Sequence, residues 1–286
     1  MTKNELNELI DLAAEGNSRA LEMVLLDVRD LVFNLSVRML GTVADAEDAS
    51  QDILMKVMMK LGSFRKEADF HTWVYRIAAN YLTDYKKSMF AQHPLNFDYY
   101  ANDIRAGYQD TTEEMLMGVS REEMAKELKL SCTNVMLQCL DPQSRCIFIL
   151  GTMFHVNSKM AGDILDLSPE NYRQKLSRAK RKMADFLQAY CGLSGTGCCD
   201  CYDRVGYALE QHRIHPRRME FKQLRTLDKG ILQEHMDSME KLDEKVPVFE
   251  ELPHYQSNMD VKTFIQNLIA SRHMNKIKNY KEEQHD

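Results

Sequence analysis

Residues 45–87 contain two consecutive segments with apolar side chains at helical spacing, and this pattern constrains the fold more than any other part of the chain. Over 46–61 apolar residues recur every three or four positions, and Asp45 is placed to cap the helix. After a short charged loop the pattern repeats over 70–85. Stripes at this spacing are buried where helices pack together. The sequence therefore predicts a helical hairpin within an all-α domain.

The polar faces of these two helices differ in charge. The first face carries acceptors beside a methionine, namely Asp48, Gln51, Asp52 and Met55. The loop and the second helix carry basic and amide groups among aromatic rings, namely Arg65, Lys66, Phe70, Trp73, Arg76, Asn80 and Lys87. Such a surface suits phosphates and the stacked bases of a single strand. A hairpin with a solvated polar face is the alternative interpretation.

A second pair of helices with DNA-binding character follows between residues 157 and 190. The sequence predicts a short helix over 157–165, a turn at Asp166, and a longer helix that opens with the cap Ser168 and the first-turn Pro169. From 170 to 182 there are six basic residues against a single acidic one. A short helix, a turn and a basic helix place a recognition helix in a major groove. A merely solvated charged face is the other interpretation.

These motifs together resemble the sigma-70 family of bacterial RNA polymerase initiation factors, specifically its extracytoplasmic-function (ECF) group. The resemblance is carried by DAEDASQD, by FRKEADFHTWVYRIAANYLTDYKK and by SPENYRQKLSRAKRKM. The sequence departs from the family at Leu54 and Met58, which stand where aromatics are usual. It departs again at Asp166, in place of the usual turn glycine, and at Gly162, where alanine is common.

The resemblance implies roles for these residues. The first helix would dock on a coiled coil of the polymerase largest subunit through Asp48, Gln51, Asp52 and Met55. The loop and second helix would melt and read the minus-ten promoter element through Arg65, Lys66, Phe70, Trp73, Arg76, Asn80 and Lys87. The helix-turn-helix would read the minus-35 element through Asn171, Arg173, Gln174, Lys175, Arg178 and Lys182.

The length of 286 residues accommodates two or three small domains. We expect a region 2-like domain over 1–90, an acidic linker over 91–130, a region 4-like helix-turn-helix domain over 131–192, and a helical C-terminal extension over 193–286. Residues 90–127 hold eight acidic residues and three basic ones. In the family this linker threads toward the polymerase active-site channel, and a solvated spacer is the alternative.

Overall charge and hydropathy exclude other classes of protein. The net charge of −6 argues against indiscriminate coating of nucleic acid, so DNA contacts must be local. No apolar run is long enough to span a bilayer and no signal peptide is evident, so we expect a cytoplasmic protein without a membrane partner. The sequence contains neither a pair of catalytic carboxylates nor a nucleophile motif, so we do not expect an enzyme.

Seven cysteines without an export signal favour reduced thiols or metal ligation over disulfides. Cys132, Cys139 and Cys146 are interpreted as small core residues. The cluster in the extension suggests a structural zinc site on four side chains, Cys191, Cys198, Cys201 and His212. The CCxC spacing is too tight for one zinc knuckle, so packing thiols and redox sensing remain as alternatives.

The sequence thus predicts a sigma factor that binds core RNA polymerase and both double-stranded and melted promoter DNA, with no required cofactor. An anti-sigma or other regulatory protein is a further candidate partner. Two alternative functions stay open. One is a stand-alone helix-turn-helix regulator. The other is a sigma-derived adaptor that links polymerase to another complex through its C-terminal tail.

Overall fold

The computed structural model describes residues 2–227, 247–250 and 252–270. Within these ranges the regular structure is helical, and β-pairing is confined to two isolated bridges, Cys191 with Cys199 and Thr226 with Tyr255. The helices are α1 (Lys3–Ala14), α2 (Ser18–Leu40), α3 (Val43–Lys60), α4 (Phe70–Thr83), α5 (Met89–Gln92), α6 (Phe97–Ala106), α7 (Glu113–Leu116), α8 (Arg121–Leu137), α9 (Pro142–Phe148), α10 (Ser158–Leu165), α11 (Pro169–Tyr190) and α12 (Val205–Glu210), followed by Pro247–Glu250 and Val261–Ala270. The all-α fold class is confirmed.

Side-chain caps fix the starts of the first helices. The α2 cap is Asn17, whose Oδ1 accepts the backbone N–H groups of Arg19 and Ala20, both at 3.0 Å. The start of α3 corrects a prediction, because its cap is Thr42 and not Asp45. Thr42 Oγ1 accepts the Asp45 N–H and donates to the Asp45 carboxylate, so Asp45 lies inside the first turn. A carboxylate there still favours the positive end of the helix dipole.

The predicted hairpin is present as α3 and α4, and it packs on the long helix α2. Its apolar stripes are buried, as shown by Ile53, Leu54 and Val57 on α3 and by Val74 and Ala78 on α4, each 0% exposed. Full burial of such side chains stabilises a fold by roughly 1.5–3 kcal/mol each. The hairpin therefore belongs to the core of the protein.

Residues 91–130 are more ordered than a solvated spacer. They contain α6 and α7 and the first part of α8, which continues through the predicted boundary between 130 and 131. Apolar Tyr100, Ala101 and Ile104 lie on one face of α6 and are buried. The Tyr100 ring stacks on Phe186 of α11 with centroids 5.8 Å apart. This span is therefore packed against the helix-turn-helix, while the domain division itself stays a prediction.

The helix-turn-helix is present as α10 and α11. Asp166 makes the turn in the left-handed conformation at φ 56°, which aspartate tolerates better than most residues. The glycine at position 162 is required for a different reason, because a Cβ there would lie 2.5 Å from the Leu167 carbonyl oxygen. Glycine at 162 thus lets the turn close tightly on α10. The departure from the family's usual alanine is explained by this contact.

The two predicted helical bodies share one apolar core. Helix α4 packs against α2 and α3 on one side and against α9 and α10 on the other. At the second contact the Tyr75 ring lies 6.1 Å from that of Phe154. One cluster of buried apolar side chains runs from Leu6 to Ile265. The α3–α4 hairpin and the helix-turn-helix therefore pack directly on each other.

The C-terminal extension is anchored in the same core. Tyr255 is 1% exposed, and its backbone N–H and C=O are both bound by the Asn34 side-chain amide at 2.7 Å. Arg38 is also buried, where it donates to Asn134 Oδ1 at 2.7 Å and to the Pro253 carbonyl and lies over the Tyr255 ring. Burial without a carboxylate partner lowers the pKa of Arg38 to about 10. Residues 252–257 are thus held firmly against α2.

Residues 228–246, 251 and 271–286 of the predicted C-terminal extension lie outside the described residues. In the parts of the chain that the structure does describe, no helix combines the length and apolarity needed to cross a bilayer.

Candidate functional site

The first candidate surface is the outer face of α3. Asp48 and Gln51 are exposed there, and Asp52 and Met55 are partly exposed. The four side chains follow i, i+3, i+4, i+7 spacing and share one face. The Asp52 carboxylate accepts the Tyr81 hydroxyl of α4, so it also ties the hairpin together. The face combines acceptors with apolar surface, including Met59, which is 67% exposed.

The loop before α4 contains an aromatic cluster. The Phe64 ring lies 5.3 Å from each of the Phe70 and Trp73 rings, and the last two are stacked 5.7 Å apart. Phe70 is 2% exposed, which corrects its prediction as a DNA-reading side chain, because the cluster and the hairpin core cover its ring. Trp73 retains partial exposure. The cluster fixes the loop, and it leaves the rings of Phe64 and Trp73 partly exposed.

Basic residues flank this cluster. Arg65 is exposed, and Lys66 adopts the left-handed conformation at φ 60° with its ammonium 2.6 Å from the Asp11 carboxylate. Arg76 and Asn80 are exposed one turn apart on α4, and Lys87 is exposed beyond its end. The structure thus brings the predicted residues other than Phe70 to one solvent-facing strip along the loop and α4.

The second candidate surface is the N-terminal half of α11. Asn171, Arg173, Gln174, Arg178 and Lys182 are exposed and Lys175 is partly exposed. The Arg173 guanidinium donates to Ser158 Oγ at 2.9 Å, which joins the two helices of the motif. Lys180 belongs to the predicted basic run but is only 7% exposed, so it lies on the packed side of the helix. The remaining basic side chains form an open cationic face.

Comparison with known proteins bears on the first candidate surface. The family model described as Sigma-70 region 2 matches residues 25–89, which cover α3, α4 and most of α2. The ECF RNA polymerase sigma factor SigW of Bacillus subtilis is 25% identical over 182 residues, which is 62% of this chain and 94% of SigW. The chain is thus similar to ECF sigma factors of the sigma-70 family.

Other members of the family match shorter stretches. The RNA polymerase sigma-H factor of Pseudomonas aeruginosa is 31% identical over 28% of this chain and 42% of its own length. The ECF RNA polymerase sigma-E factor of Haemophilus influenzae is 30% identical over 33% of this chain and 49% of its own length. The chain thus spans less than half the length of these two relatives. A solved structure, CnrH in complex with the cytosolic domain of CnrY, matches with a TM-score of 0.45 at 22% identity, covering 63% of this chain and 94% of that one.

The predicted zinc ligands do not converge. Among the residues that the structure describes, which include Cys191, Cys198, Cys201 and His212, no three His, Cys, Asp or Glu side chains form a group that would hold a metal ion. Cys191 is buried while Cys198 is exposed. Burial raises the pKa of Cys191 and brings that of Cys201 to about 12, so both thiols are protonated at neutral pH. The described geometry gives zinc no ligand set at these positions.

Sequence reasoning missed a histidine that anchors α4. His71 Nε2 lies 2.7 Å from the Asp27 carboxylate of α2, and Nδ1 lies 3.4 Å from Asp69. Burial opposes the charge, but the hydrogen bonds to the two carboxylates raise the pKa of His71 to about 9. The hydrogen bond from His71 lowers the pKa of Asp69 to about 2. Asp69 is the N-cap of α4. Its position two residues before His71 is the local sequence signal that could have indicated this histidine.

Proposed function

We propose that this protein is a sigma factor that binds core RNA polymerase, recognises promoter DNA and promotes strand opening for transcription initiation. The observation that carries the proposal is the match to Sigma-70 region 2 over residues 25–89, a range that includes the packed helices α3 and α4. The polymerase performs the chemistry, and this chain works in the cytoplasm without a cofactor. An anti-sigma or other regulatory protein is its further partner.

The acceptor face of α3 is the polymerase contact. Asp48 and Gln51 are exposed, so their replacement removes contacts without disturbing the core. Asp52 is a poorer test because its carboxylate binds Tyr81. The pair Asp48→Lys and Gln51→Arg abolishes co-purification with core polymerase. The same substitutions on another exposed surface, Asp98→Lys and Gln92→Arg, leave it intact.

The strip formed by the loop and α4 reads the minus-ten element. Arg65, Lys66, Arg76 and Lys87 hold phosphates, Asn80 hydrogen-bonds a base, and Trp73 stacks on an unpaired one. Unstacking a base costs a few kcal/mol, which these contacts offset. The open face of α11 reads the minus-35 element through Asn171, Arg173, Gln174 and Lys175, with Arg178 and Lys182 on the backbone.

Reading both elements on one duplex requires the helices to separate. Elements about 25 base pairs apart lie roughly 85 Å apart along B-DNA at about 3.4 Å per base pair. Helices α4 and α10 are in direct contact, and α11 follows α10 after a short turn. A helix with its side chains is only about 10–12 Å wide. The packed arrangement is therefore a closed state, and promoter binding on polymerase opens the contact between α4 and α10.

Reconstitution with core polymerase tests the proposal. Asn80→Ala abolishes open-complex formation, seen as loss of permanganate reactivity at the promoter, while polymerase binding is retained. The matched control is Asn258→Ala, an exposed asparagine in the extension. Unchanged footprints in Asn80→Ala and Trp73→Ala would overturn the assignment of this strip.

The stand-alone regulator is not favoured, because a protein that used the helix-turn-helix alone would have no need of the region 2 match. Failure of the purified chain to bind core polymerase at low salt would reinstate it. The adaptor alternative concerns the extension. Transcription start sites mapped with and without residues after Cys191 distinguish it from promoter-directed initiation.

A further inference from the structure

A cavity of about 860 Å³ lies between the linker helices and the first part of the C-terminal extension. Helices α5, α6 and α8 form one side of it, and residues 199–221 form the other. Small-molecule sites commonly have volumes of roughly 300–1,000 Å³. The cavity contains none of the residues assigned above to polymerase or DNA. It is therefore a candidate site for a separate ligand.

The walls of the cavity are largely apolar. They include the aromatic rings of Phe90, Tyr99, Tyr100 and Phe221 together with the aliphatic Leu128. Tyr99 is 58% exposed, and Met89, which also lines the cavity, is 50% exposed. Such exposure of large apolar side chains beside an internal cavity marks an accessible mouth. Rings on both sides suit a flat aromatic body.

The charged groups on the lining are mostly engaged by the protein itself. Arg204 and Arg213 both bind the carboxylate of Asp103. The Glu127 carboxylate accepts the backbone N–H groups of Phe221 and Lys222, both at 3.0 Å. These groups hold the extension against α6 and α8. These side chains are already engaged in contacts within the protein before any ligand arrives.

Arg218 differs from these groups. It lines the cavity, and its guanidinium makes neither a hydrogen bond nor an ion pair with the residues that the structure describes. His212 and His215 line the same wall, and both His212 and Arg218 are exposed. The nearest acidic lining residue in sequence is Glu220, whose carboxylate accepts the Val43 N–H at 3.3 Å. Among the described residues, Arg218 is thus the arginine of the lining whose guanidinium has no partner within the protein.

We propose that this cavity binds a small aromatic acid, with its ring between the α6 and α8 side and the side formed by residues 199–221, and its carboxylate or sulfonate group on Arg218. A planar guanidinium binds such oxyanions through two parallel hydrogen bonds. The ligand touches both the linker helices and the extension, so its binding favours the docked position of the extension. The site thereby couples a small molecule to the part of the chain that follows the helix-turn-helix.

The test uses the full-length chain and the aromatic sulfonate 8-anilinonaphthalene-1-sulfonate as the probe. We expect one saturable site, detected by enhanced fluorescence, and displacement of the probe by 2-naphthoate but not by the neutral 2-naphthalenemethanol. Arg218→Gln weakens probe binding at least tenfold. Arg225→Gln, an exposed arginine of the same segment that does not line the cavity, leaves it unchanged.

A second variant tests the location without removing charge. Ser131 lies on α8, lines the cavity and is partly exposed, so Ser131→Trp fills the space. We expect loss of probe binding with an unchanged circular dichroism spectrum and thermal midpoint. Equal displacement by the neutral alcohol, or probe binding that persists in both Arg218→Gln and Ser131→Trp, would overturn the proposal. Either outcome leaves the polymerase-binding assay unaffected, so the two proposals fail separately.

Discussion

Helices α4 and α11 both carry the polar side chains proposed to contact DNA, but they are buried to different extents. Helix α4 packs on two sides, against α2 and α3 and against α9 and α10, and only a strip through Arg76 and Asn80 faces solvent. The N-terminal half of α11 packs on one side and exposes most of its basic residues. Substitutions at most positions of α4 therefore reach the core. Substitutions on the exposed face of α11 do not.

The largest expected effect comes from the second packed side of α4. Tyr75 is 8% exposed and its ring contacts Phe154. Tyr75→Ala leaves a cavity there, and we expect the free energy of unfolding to fall by about 3–5 kcal/mol. Arg178→Ala on the open face of α11 costs less than about 0.5 kcal/mol. Urea denaturation measures both, and similar losses in the two variants would remove the distinction between the helices.

The second prediction concerns the attachment of α4 to α2 through His71. Its folded-state pKa of about 9 is above the ordinary value of 6.5, so its contribution to stability is fully present below pH 6.5 and disappears as the pH rises through 9. A shift of this size corresponds to about 3 kcal/mol. The free energy of unfolding should therefore fall by about 3 kcal/mol when it is measured from pH 6 to pH 10.

The control for this pH dependence is His71→Gln, which cannot titrate. The variant should be less stable than the parent at pH 6, and the difference between the two should shrink toward pH 10. A parallel pH dependence in both proteins would assign the decline to another group.

The third prediction concerns the turn that orients α11. Gly162→Ala places a Cβ against the Leu167 carbonyl oxygen, so the backbone must shift, and we expect a loss of about 1–3 kcal/mol. The matched variant is Gly62→Ala after α3, where a Cβ would meet nothing within 4 Å. That substitution should be neutral or stabilising by up to about 1 kcal/mol. Thermal denaturation of the pair checks the contrast, and equal midpoints would contradict it.

The smallest effects are expected on the open face of α11, and they concern binding. Gln174→Ala removes a base contact and should cost about 1–3 kcal/mol on the matching minus-35 sequence only. Lys182→Ala removes a phosphate contact and weakens binding to all sequences. It also lowers, by about 0.9, the steepness with which the logarithm of the binding constant falls with the logarithm of the salt concentration. Titrations of the polymerase complex at several salt concentrations distinguish them. Identical sequence profiles for the two variants would show that the face reads phosphates alone.

The positions of the helices were predictable because their signals are local. Asp141 caps α9 ahead of Pro142, and Ser168 caps α11 ahead of Pro169, in each case through a backbone N–H three residues on. Apolar spacing likewise identified the hairpin. The cap of α3 at Thr42 was missed because two candidate caps lie within one turn of each other.

Tertiary structure decided which polar or aromatic residues of those helices remain on the surface. Lys180 and Phe70 fit the predicted surfaces by type, yet packing buries both of them. The cation of Arg38 is enclosed between Asn134 and Pro253, residues about 96 and 215 positions away. Helix caps and the spacing of apolar residues involve positions only a few residues apart, so the sequence alone reveals them. Burial and the cavity beside Arg218 depend on segments that meet only after folding, so only the three-dimensional structure could assign them.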